Sequence, residues 1–356
     1  MKPIVILWVR KLMKKGLAII GASLLFLQVA SSQISFTERR ARDKALHEGV
    51  ALILQEDYER ASFILSECIG LDSTFAPAYL QRGRIMIEWG AYENAMEDLD
   101  RATFYNSGLG EAYFYKGYIL FGTDTTGADA QLFDQAISNG FNNPNAYYFR
   151  GLTKIRDGFD GMALSDFGIA INLKPDFALA YHERAGVKRR SGDLQGAHFD
   201  YRTAIEYQPV FPLAYNNLGS VKILLGDYEG AIADYNVAIE QDPEMALAMN
   251  NRGYASYFMG DMEGALSDFS RAIELDEGFA MAAMNKSTVL AKQNQVQPAM
   301  SLLDNAIDEH PQTALLYLNR GLVRELKGDL RGACEDWTRA KELGAEQADE
   351  FLKECN

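Results

Sequence analysis

Residues Ala214–Pro243 read AYNNLGSVKILLGDYEGAIADYNVAIEQDP and contain two largely apolar stretches separated by a Gly-Asp pair. Gly226 can end a first helix in a left-handed conformation, and Asp227 can then cap the N-terminus of a second helix. Pro243 stops that second helix from continuing, because proline lacks a backbone N–H and disfavours helix at the residue before it. The stretch therefore predicts two helices joined by a tight turn.

The same pattern recurs every 34 residues along most of the chain. A glycine marks the first helix of seven repeats, while Ala185 and Ser287 take the same position in two others. The glycines are Gly49, Gly83, Gly117, Gly151, Gly219, Gly253 and Gly321. In segments such as Ala248–Met259 and Gly264–Glu274, apolar residues have the spacing of one helix face. One such pair cannot bury its own apolar face, so we predict an all-α fold of stacked pairs.

This pattern resembles the tetratricopeptide repeat (TPR) family, and the resemblance covers nine tandem repeats of 34 residues within residues 42–344. It implies a right-handed α-α superhelical solenoid of stacked helix pairs. Residues 33–41 are then a short leader, and residues 345–356 form a C-terminal capping helix. The third repeat departs from the pattern, since it lacks the Gly-Asp turn and carries Asp129 where alanine is expected.

The first 32 residues have the organisation of a secretory signal peptide. Basic residues precede an apolar run from Leu17 to Ala30, and the small residues Ser31 and Ser32 follow it. The run is shorter than the roughly 20 apolar residues that span a bilayer. We therefore expect cleavage after Ser32 and export, with the bacterial periplasm as the destination. The alternative is that residues 16–30 remain uncleaved and anchor the protein in the inner membrane.

A basic and an acidic residue, 16 positions apart, recur within the repeats. The planar guanidinium of arginine suits two parallel contacts with a carboxylate. We predict structural ion pairs between the two helices of a repeat at five places. The pairs are Arg82 with Asp98, Arg150 with Asp166, Arg184 with Asp200, Arg252 with Asp268, and Arg320 with Asp336.

The resemblance also implies a binding surface, because the first helices of this family line a groove that holds an extended peptide or a partner's helix. Seven residues at the corresponding positions are candidate groove residues here. They are Asn216, Asn217, Asn250, Asn251, Tyr254, Asn285 and Asn319. Side-chain amides can hydrogen-bond a ligand's backbone without reading its sequence. Alternatively, these asparagines solvate an open face or bond one another.

Two further features bear on recognition. The third and fourth repeats carry aromatic residues that could either contact a partner or pack between repeats. These are Phe114, Tyr115, Tyr118 and Tyr148. Arg189 and Arg190 form a basic spot that could attract a carboxylate or simply solvate a helix end. The family's carboxylate-clamp lysine is absent, since apolar residues such as Leu213 stand in its place.

The composition and motifs argue against several other functions. No phosphate-binding loop, nucleophile elbow or HExxH motif is present, and the four histidines lie far apart, so no catalytic residue, metal or cofactor is predicted. A formal net charge of −14 argues against nucleic acid as a partner. In an oxidising compartment Cys334 and Cys355 could form a disulfide or remain free thiols.

We therefore predict a non-enzymatic scaffold that binds an extended peptide or a segment of a partner protein in the groove, with no small-molecule substrate. The alternative is a structural or assembly subunit of an envelope complex that uses its convex face or edges. A single-chain enzyme would need a site built across several repeats, and no constellation in the sequence supports one.

Overall fold

A computed structural model of the protein describes residues 34–123, 127–276 and 278–355. These residues form nineteen α-helices, as the all-α prediction requires. The first ten are α1 (Phe36–Leu54), α2 (Tyr58–Leu71), α3 (Ala76–Glu88), α4 (Tyr92–Tyr105), α5 (Gly110–Thr123), α6 (Ala128–Ser138), α7 (Pro144–Arg156), α8 (Asp160–Leu173), α9 (Ala178–Arg190) and α10 (Leu194–Tyr207). The others are α11 (Pro212–Leu224), α12 (Tyr228–Gln241), α13 (Ala246–Phe258), α14 (Met262–Leu275), α15 (Ala280–Lys292), α16 (Val296–Glu309), α17 (Ala314–Leu326), α18 (Leu330–Glu342) and α19 (Ala348–Phe351). The predicted signal peptide lies outside the described residues.

The chain divides into two compact parts, one ending at Ile119 and the other beginning at Leu120. In the N-terminal part α1 packs on α2, α2 on α3, and α3 on α4. In the C-terminal part each helix from α7 to α18 packs on the next one along the chain. The odd-numbered helices up to α17 are the first helices of the repeats, and each of them from α7 to α15 also contacts the next odd-numbered helix. The predicted solenoid of sequentially packed helix pairs is confirmed.

The Gly-Asp turns have the geometry expected from the sequence. Gly226 has a φ of +81°, a left-handed value that a residue with a Cβ rarely adopts. Asp227 then caps α12, because its side chain accepts a hydrogen bond from the Gly230 N–H at 2.9 Å. The same arrangement is found at Gly192-Asp193, Gly260-Asp261 and Gly328-Asp329.

The recurring glycine makes room for a large side chain of the second helix. A Cβ added to Gly219 would lie 2.7 Å from the Tyr235 ring, and one added to Gly321 would lie 2.3 Å from Nε1 of Trp337. Both rings are fully buried, so they form the core between the paired helices. The recurring glycine therefore packs directly against a large side chain that lies 16 residues later in the same repeat.

The N-terminal helix and the third repeat depart from what the repeat pattern predicts. Helix α1 begins at Phe36, within the segment that the sequence suggested as a leader, and a Ser35–Glu38 capping box fixes its start. In the third repeat the buried Asp129 accepts two hydrogen bonds from Arg156, at 2.7 and 2.8 Å, which compensates its charge.

At the other end of the chain, α19 is followed by a short 3₁₀ turn over Leu352–Cys355. Phe351 stacks on Trp337 with ring centroids 5.3 Å apart. Cys334 of α18 and Cys355 are joined by a disulfide. The bond thus ties the terminal segment to the last helix pair and holds Phe351 over the tryptophan.

Reduction of this disulfide is expected to release the terminal segment. Breaking the cross-link, which joins residues 21 positions apart, removes a constraint worth roughly 3 kcal/mol in the chain-entropy account. We expect a Cys334→Ser/Cys355→Ser variant to show a lower melting temperature and a red-shifted Trp337 emission, since Phe351 no longer covers the indole. Reductant should reproduce both changes in the unmodified chain and do nothing to the variant. Identical melting and emission in variant and parent would contradict this account.

Candidate functional site

The five predicted arginine–aspartate pairs all form contacts in the structure. Each aspartate accepts hydrogen bonds from Nε and Nη2 of its arginine, at distances between 2.5 and 2.9 Å. The aspartates are buried and the arginines partly exposed. Hydrogen bonds to the aspartates raise the pKa of the guanidinium at Arg82, Arg150, Arg252 and Arg320. These pairs lock the two helices of a repeat together.

Four of these arginines also reach the preceding repeat, where each donates from Nη1 to an oxygen of a second helix. The acceptors are Ser66 for Arg82 (3.0 Å), Asp134 for Arg150 (3.1 Å), Asn236 for Arg252 (2.7 Å) and Asp304 for Arg320 (2.8 Å). The arginine thus binds one repeat to the one before it, a role that the sequence analysis missed. The sequence does contain a signal for this contact, because in all four cases the acceptor lies 16 residues before the arginine.

The sixth repeat lacks this arginine and has Leu218 in its place. Asp234 is paired instead with Lys222, at 2.7 Å. Burial raises the pKa of Asp234 above its ordinary value, and the contact with Lys222 only partly offsets that effect. The corresponding position of the preceding repeat holds Arg202, which is exposed and cannot accept a hydrogen bond.

Five of the groove asparagines form one continuous chain of side-chain hydrogen bonds, which we call the amide relay. Asn285 donates to Asn250 (2.9 Å), Asn250 to Asn251 (3.3 Å), Asn251 to Asn216 (2.9 Å), and Asn216 to Asn217 (3.2 Å). The relay crosses three first helices, α11, α13 and α15. These asparagines therefore bond one another, and a ligand would have to use the groups that the relay leaves unpaired.

The relay ends at a histidine that fixes its direction. Nδ1 of His182 lies 3.1 Å from Oε1 of Glu183, and Nε2 lies 3.0 Å from Nδ2 of Asn217. A carboxylate can only accept, so in the neutral ring Nδ1 carries the proton and Nε2 accepts from Asn217. Each hydrogen bond of the relay that passes between repeats is then donated toward the N-terminal end of the array.

Burial separates the relay into two kinds of residue. Asn216 and Asn250 are only 1% exposed, so they support the relay from below and do not offer their own amides to a ligand. This corrects the prediction for those two positions. Asn217, Asn251 and Asn285 are half-buried. Each uses one of its two N–H groups in the relay, which leaves the other for a ligand.

The remaining groove candidate behaves differently. Asn319 donates to the Leu315 carbonyl of its own helix, at 2.8 Å, and does not join the relay. Asn319 lies one repeat after Asn285. In the eighth repeat, however, Met284 occupies the position that Asn216 and Asn250 hold in the sixth and seventh repeats. The relay needs two adjacent asparagines to pass from one repeat to the next, so it stops at Asn285.

A cavity of ≈ 270 Å³ opens beside the relay on the first helices of repeats five to eight. Its lining includes Arg189, Asn251, Tyr254, Met281 and Asn285. Tyr254 is 39% exposed and also lines a smaller neighbouring cavity. We call the surface formed here by α9, α11, α13 and α15 the groove.

The four aromatic candidates mostly pack. Phe114 is buried, with its ring 5.2 Å from that of Tyr115, so it cannot contact a partner as the sequence suggested. Tyr115 is half-buried, whereas Tyr118 is exposed. In the C-terminal part, Tyr148 packs against Phe177 with ring centroids 5.1 Å apart, and burial raises its pKa. Ring contacts within α5 and between Tyr148 and Phe177 therefore involve all four candidates.

Metal binding and membrane spanning each require features that can be read from the part of the chain that the structure describes. No three His, Cys, Asp or Glu side chains there are grouped so that they could hold a metal ion. Among the described helices, none combines the length and the apolar character needed to cross a membrane.

Comparison with protein families identifies the repeats. The family described as "TPR repeat" matches residues 221–260, and the family described as "Tetratricopeptide repeat" matches residues 246–279. Residues 221–279 therefore match tetratricopeptide repeats, and the other helix pairs follow the same 34-residue spacing. Proteins built of these repeats are generally non-enzymatic scaffolds for protein–protein interaction. The matched residues contain Asn250 and Asn251 of the relay and the whole of α13, the helix that carries Tyr254.

Solved structures extend the likeness of fold over more of this repeat protein. A tetratricopeptide repeat protein from Parabacteroides merdae is 20% identical with a TM-score of 0.57, over 68% of this chain and 97% of its own. PilF of Pseudomonas aeruginosa is 23% identical with a TM-score of 0.51, over 59% and 97%. PilW, described as a type IV pilus biogenesis factor, is 18% identical with a TM-score of 0.54, over 59% and 98%. No curated protein matches the sequence significantly.

Proposed function

We propose that this repeat protein is a non-enzymatic scaffold that binds an extended peptide, or an extended segment of a partner protein, in the groove. The observation that carries the proposal is the amide relay. It holds three half-buried amides in fixed orientations, one for each repeat, beside a cavity. An extended backbone offers unpaired N–H and C=O groups, which such amides can bind without regard to sequence.

Preorganisation favours this binding. A free asparagine side chain would lose rotamer freedom on contacting a ligand, at a cost of about 0.5–1.5 kcal/mol for each immobilised side chain. In the relay that freedom is already lost, because each amide is hydrogen-bonded to the next. The affinity gained from each contact with the ligand is correspondingly larger.

An apolar side chain accompanies the amides along the groove. In five successive repeats the residue six positions before the recurring small residue is apolar and at least 40% exposed. These residues are Leu179, Leu213, Leu247, Met281 and Leu315. Since Met281 lines the cavity, the series borders the groove. Burial of such side chains under a ligand would add the hydrophobic contribution that backbone hydrogen bonds alone do not supply.

We also propose that the protein is exported and works in the bacterial cell envelope. This rests on the signal-like N-terminal sequence and on the Cys334–Cys355 disulfide, a bond typical of oxidising compartments. Cell fractionation, together with N-terminal sequencing of the mature protein, tests it. Cleavage after Ser32 would support release into the periplasm, whereas retention of residues 16–30 would support anchoring in the inner membrane.

The groove is tested by crosslinking in the cell. We expect a photo-crosslinking residue at Tyr254 to capture a partner protein, and the same residue at Phe199, which is 64% exposed on the second helix α10, to give a different pattern. Alanine at Asn217, Asn251 and Asn285 together should abolish the capture from Tyr254, because the ligand's backbone loses its hydrogen bonds. Asn319→Ala, outside the relay, should leave it unchanged.

The triple variant also loses stability, since Asn216 and Asn250 are left with unsatisfied buried groups at about 1–3 kcal/mol each. Circular dichroism therefore accompanies the assay, and the single variant Asn285→Ala, at the end of the relay, gives a milder comparison. Capture that survives the loss of the three amides in a folded protein would refute binding in the groove. Self-crosslinks alone would favour the structural or assembly role.

A further inference from the structure

Arg189 interrupts a position that is apolar in most of the repeats. The residue four positions after the recurring small residue is Ile53, Ile87, Phe121, Ile155, Ile223, Tyr257 or Ala291 in seven of the nine repeats. The isoleucines at this position pack against the core clusters of their repeats. In the fifth repeat the position holds Arg189, and a charged group enters a place built for an apolar one.

The surroundings of Arg189 do not supply the anion that such a charge requires. Its two neighbours do have carboxylate partners, since Lys188 contacts Asp200 and Arg190 contacts Asp160, both at 2.8 Å. Among the described residues no carboxylate lies within ion-pair distance of Arg189. Its Nε is buried and has no hydrogen-bond partner there.

The phenols of Tyr201 and Tyr235 are neutral groups near Arg189. Burial raises the pKa of Tyr201, although a hydrogen bond from Arg189 acts in the opposite direction. The Tyr235 phenol, which lines the same cavity, has its pKa raised to about 12 by burial. A guanidinium beside neutral phenols and amides, with no carboxylate in ion-pair contact, is poorly compensated, and Arg189 lines the cavity in the groove.

We propose that this cavity binds the side-chain carboxylate of an aspartate or glutamate in the bound segment, with Arg189 as its cationic partner. The inference rests on the proposed function and adds a chemical preference to it. A carboxylate entering the cavity meets the Arg189 fork and the spare N–H groups of Asn251 and Asn285. Charge-assisted hydrogen bonds of this kind are about twice as strong as neutral ones. The apolar Met281 beside them accepts the methylene stem.

The overall charge of the protein makes this preference informative. With a formal net charge of −14, the chain repels acidic segments at long range, so enrichment of acidic residues cannot arise from non-specific attraction. A contact confined to one cavity is also less screened by salt than a surface field. The preference should therefore persist, or grow, as the salt concentration is raised to physiological values.

A random 12-residue peptide library displayed on phage, selected on the purified chain, tests the inference. We expect the selected peptides to share Asp or Glu at one position among apolar residues. Replacing that acid by its amide in a synthetic selected peptide should weaken binding on the order of tenfold, the loss expected for a charge-assisted hydrogen bond. The same replacement should change little in Arg189→Ile, a substitution that restores the residue found at this position in neighbouring repeats.

Arg190→Ile is the matched control, because Arg190 is the adjacent arginine but already has a partner in Asp160. It should retain the acidic preference. Peptides that depend on Asn251 and Asn285 but show no acidic preference would overturn this inference and leave the proposed function intact. Failure to select any peptide that depends on those asparagines would overturn both.

Discussion

Asp200→Ala is expected to lower the free energy of unfolding by about 3–5 kcal/mol, the range measured when one partner of a buried ion pair is removed. Asp200 is fully buried and binds two cations, Arg184 at 2.7 Å and Lys188 at 2.8 Å. Without the carboxylate, both positive charges stay in a partly buried site with no compensating group. The loss should appear in urea unfolding followed by circular dichroism, and amide hydrogen exchange should locate it in α9 and α10.

Two comparisons sharpen this prediction. Glu335→Ala removes a carboxylate from the exposed pair with Arg331 and should change stability by less than about 1 kcal/mol. Asp200→Asn keeps the shape of the side chain and some hydrogen bonding, so its effect should fall between the two. Equal effects of Asp200→Ala and Glu335→Ala would show that the recurring pair does not stabilise the repeats.

Gly321→Ala is the second substitution with a large expected effect. The added Cβ would lie 2.3 Å from Nε1 and 2.5 Å from Cδ1 of Trp337, a fully buried ring already stacked on Phe351. The ring or the helix must move, and overpacking of this kind costs about 1–3 kcal/mol or more. We expect a net loss near the upper end of that range, detected by denaturant unfolding with Trp337 fluorescence.

Gly168→Ala supplies a control with the opposite sign. Gly168 lies in the middle of α8, and a Cβ added there meets nothing within 4 Å. Alanine should therefore stabilise the helix by about 0.5–1 kcal/mol through its higher helix propensity. If Gly321→Ala were stabilising as well, the close contact between Gly321 and Trp337 would not constrain the fold.

The repeat and its turns could be predicted from the sequence because they depend on contacts within one repeat. Gly226-Asp227 specifies its own conformation, and the pairing of Arg184 with Asp200 follows from a fixed spacing on two adjoining helices. The aromatic residues were harder, since burial of Phe114 depends on which neighbouring helix covers it. A side chain at the border of a helix face can point either way, and its own repeat does not decide.

The amide relay and the lack of a carboxylate partner for Arg189 could not be predicted from the sequence, for a related reason. Which of two adjacent amides is buried depends on the rotation of one repeat against the next, so Asn216 and Asn217 look equivalent in the sequence. Whether Arg189 has a carboxylate partner likewise depends on how three helices are placed relative to one another. In the sequence Arg189 is one of three consecutive cations, and only the positions of Asp160 and Asp200 show which of them stays unpaired.

The arginine that joins four of the repeats to the preceding one has a mechanical consequence. A stack of repeats bends most easily where neighbouring repeats share the fewest stabilising contacts. Gly168 stands where the arginine of the fifth repeat would find an acceptor, and Leu218 replaces the arginine of the sixth. Among the described residues, the fifth repeat therefore forms this bond with neither the fourth nor the sixth repeat. His182 and Arg189 belong to that repeat, so a segment bound across them would add contacts where this arginine bond is lacking.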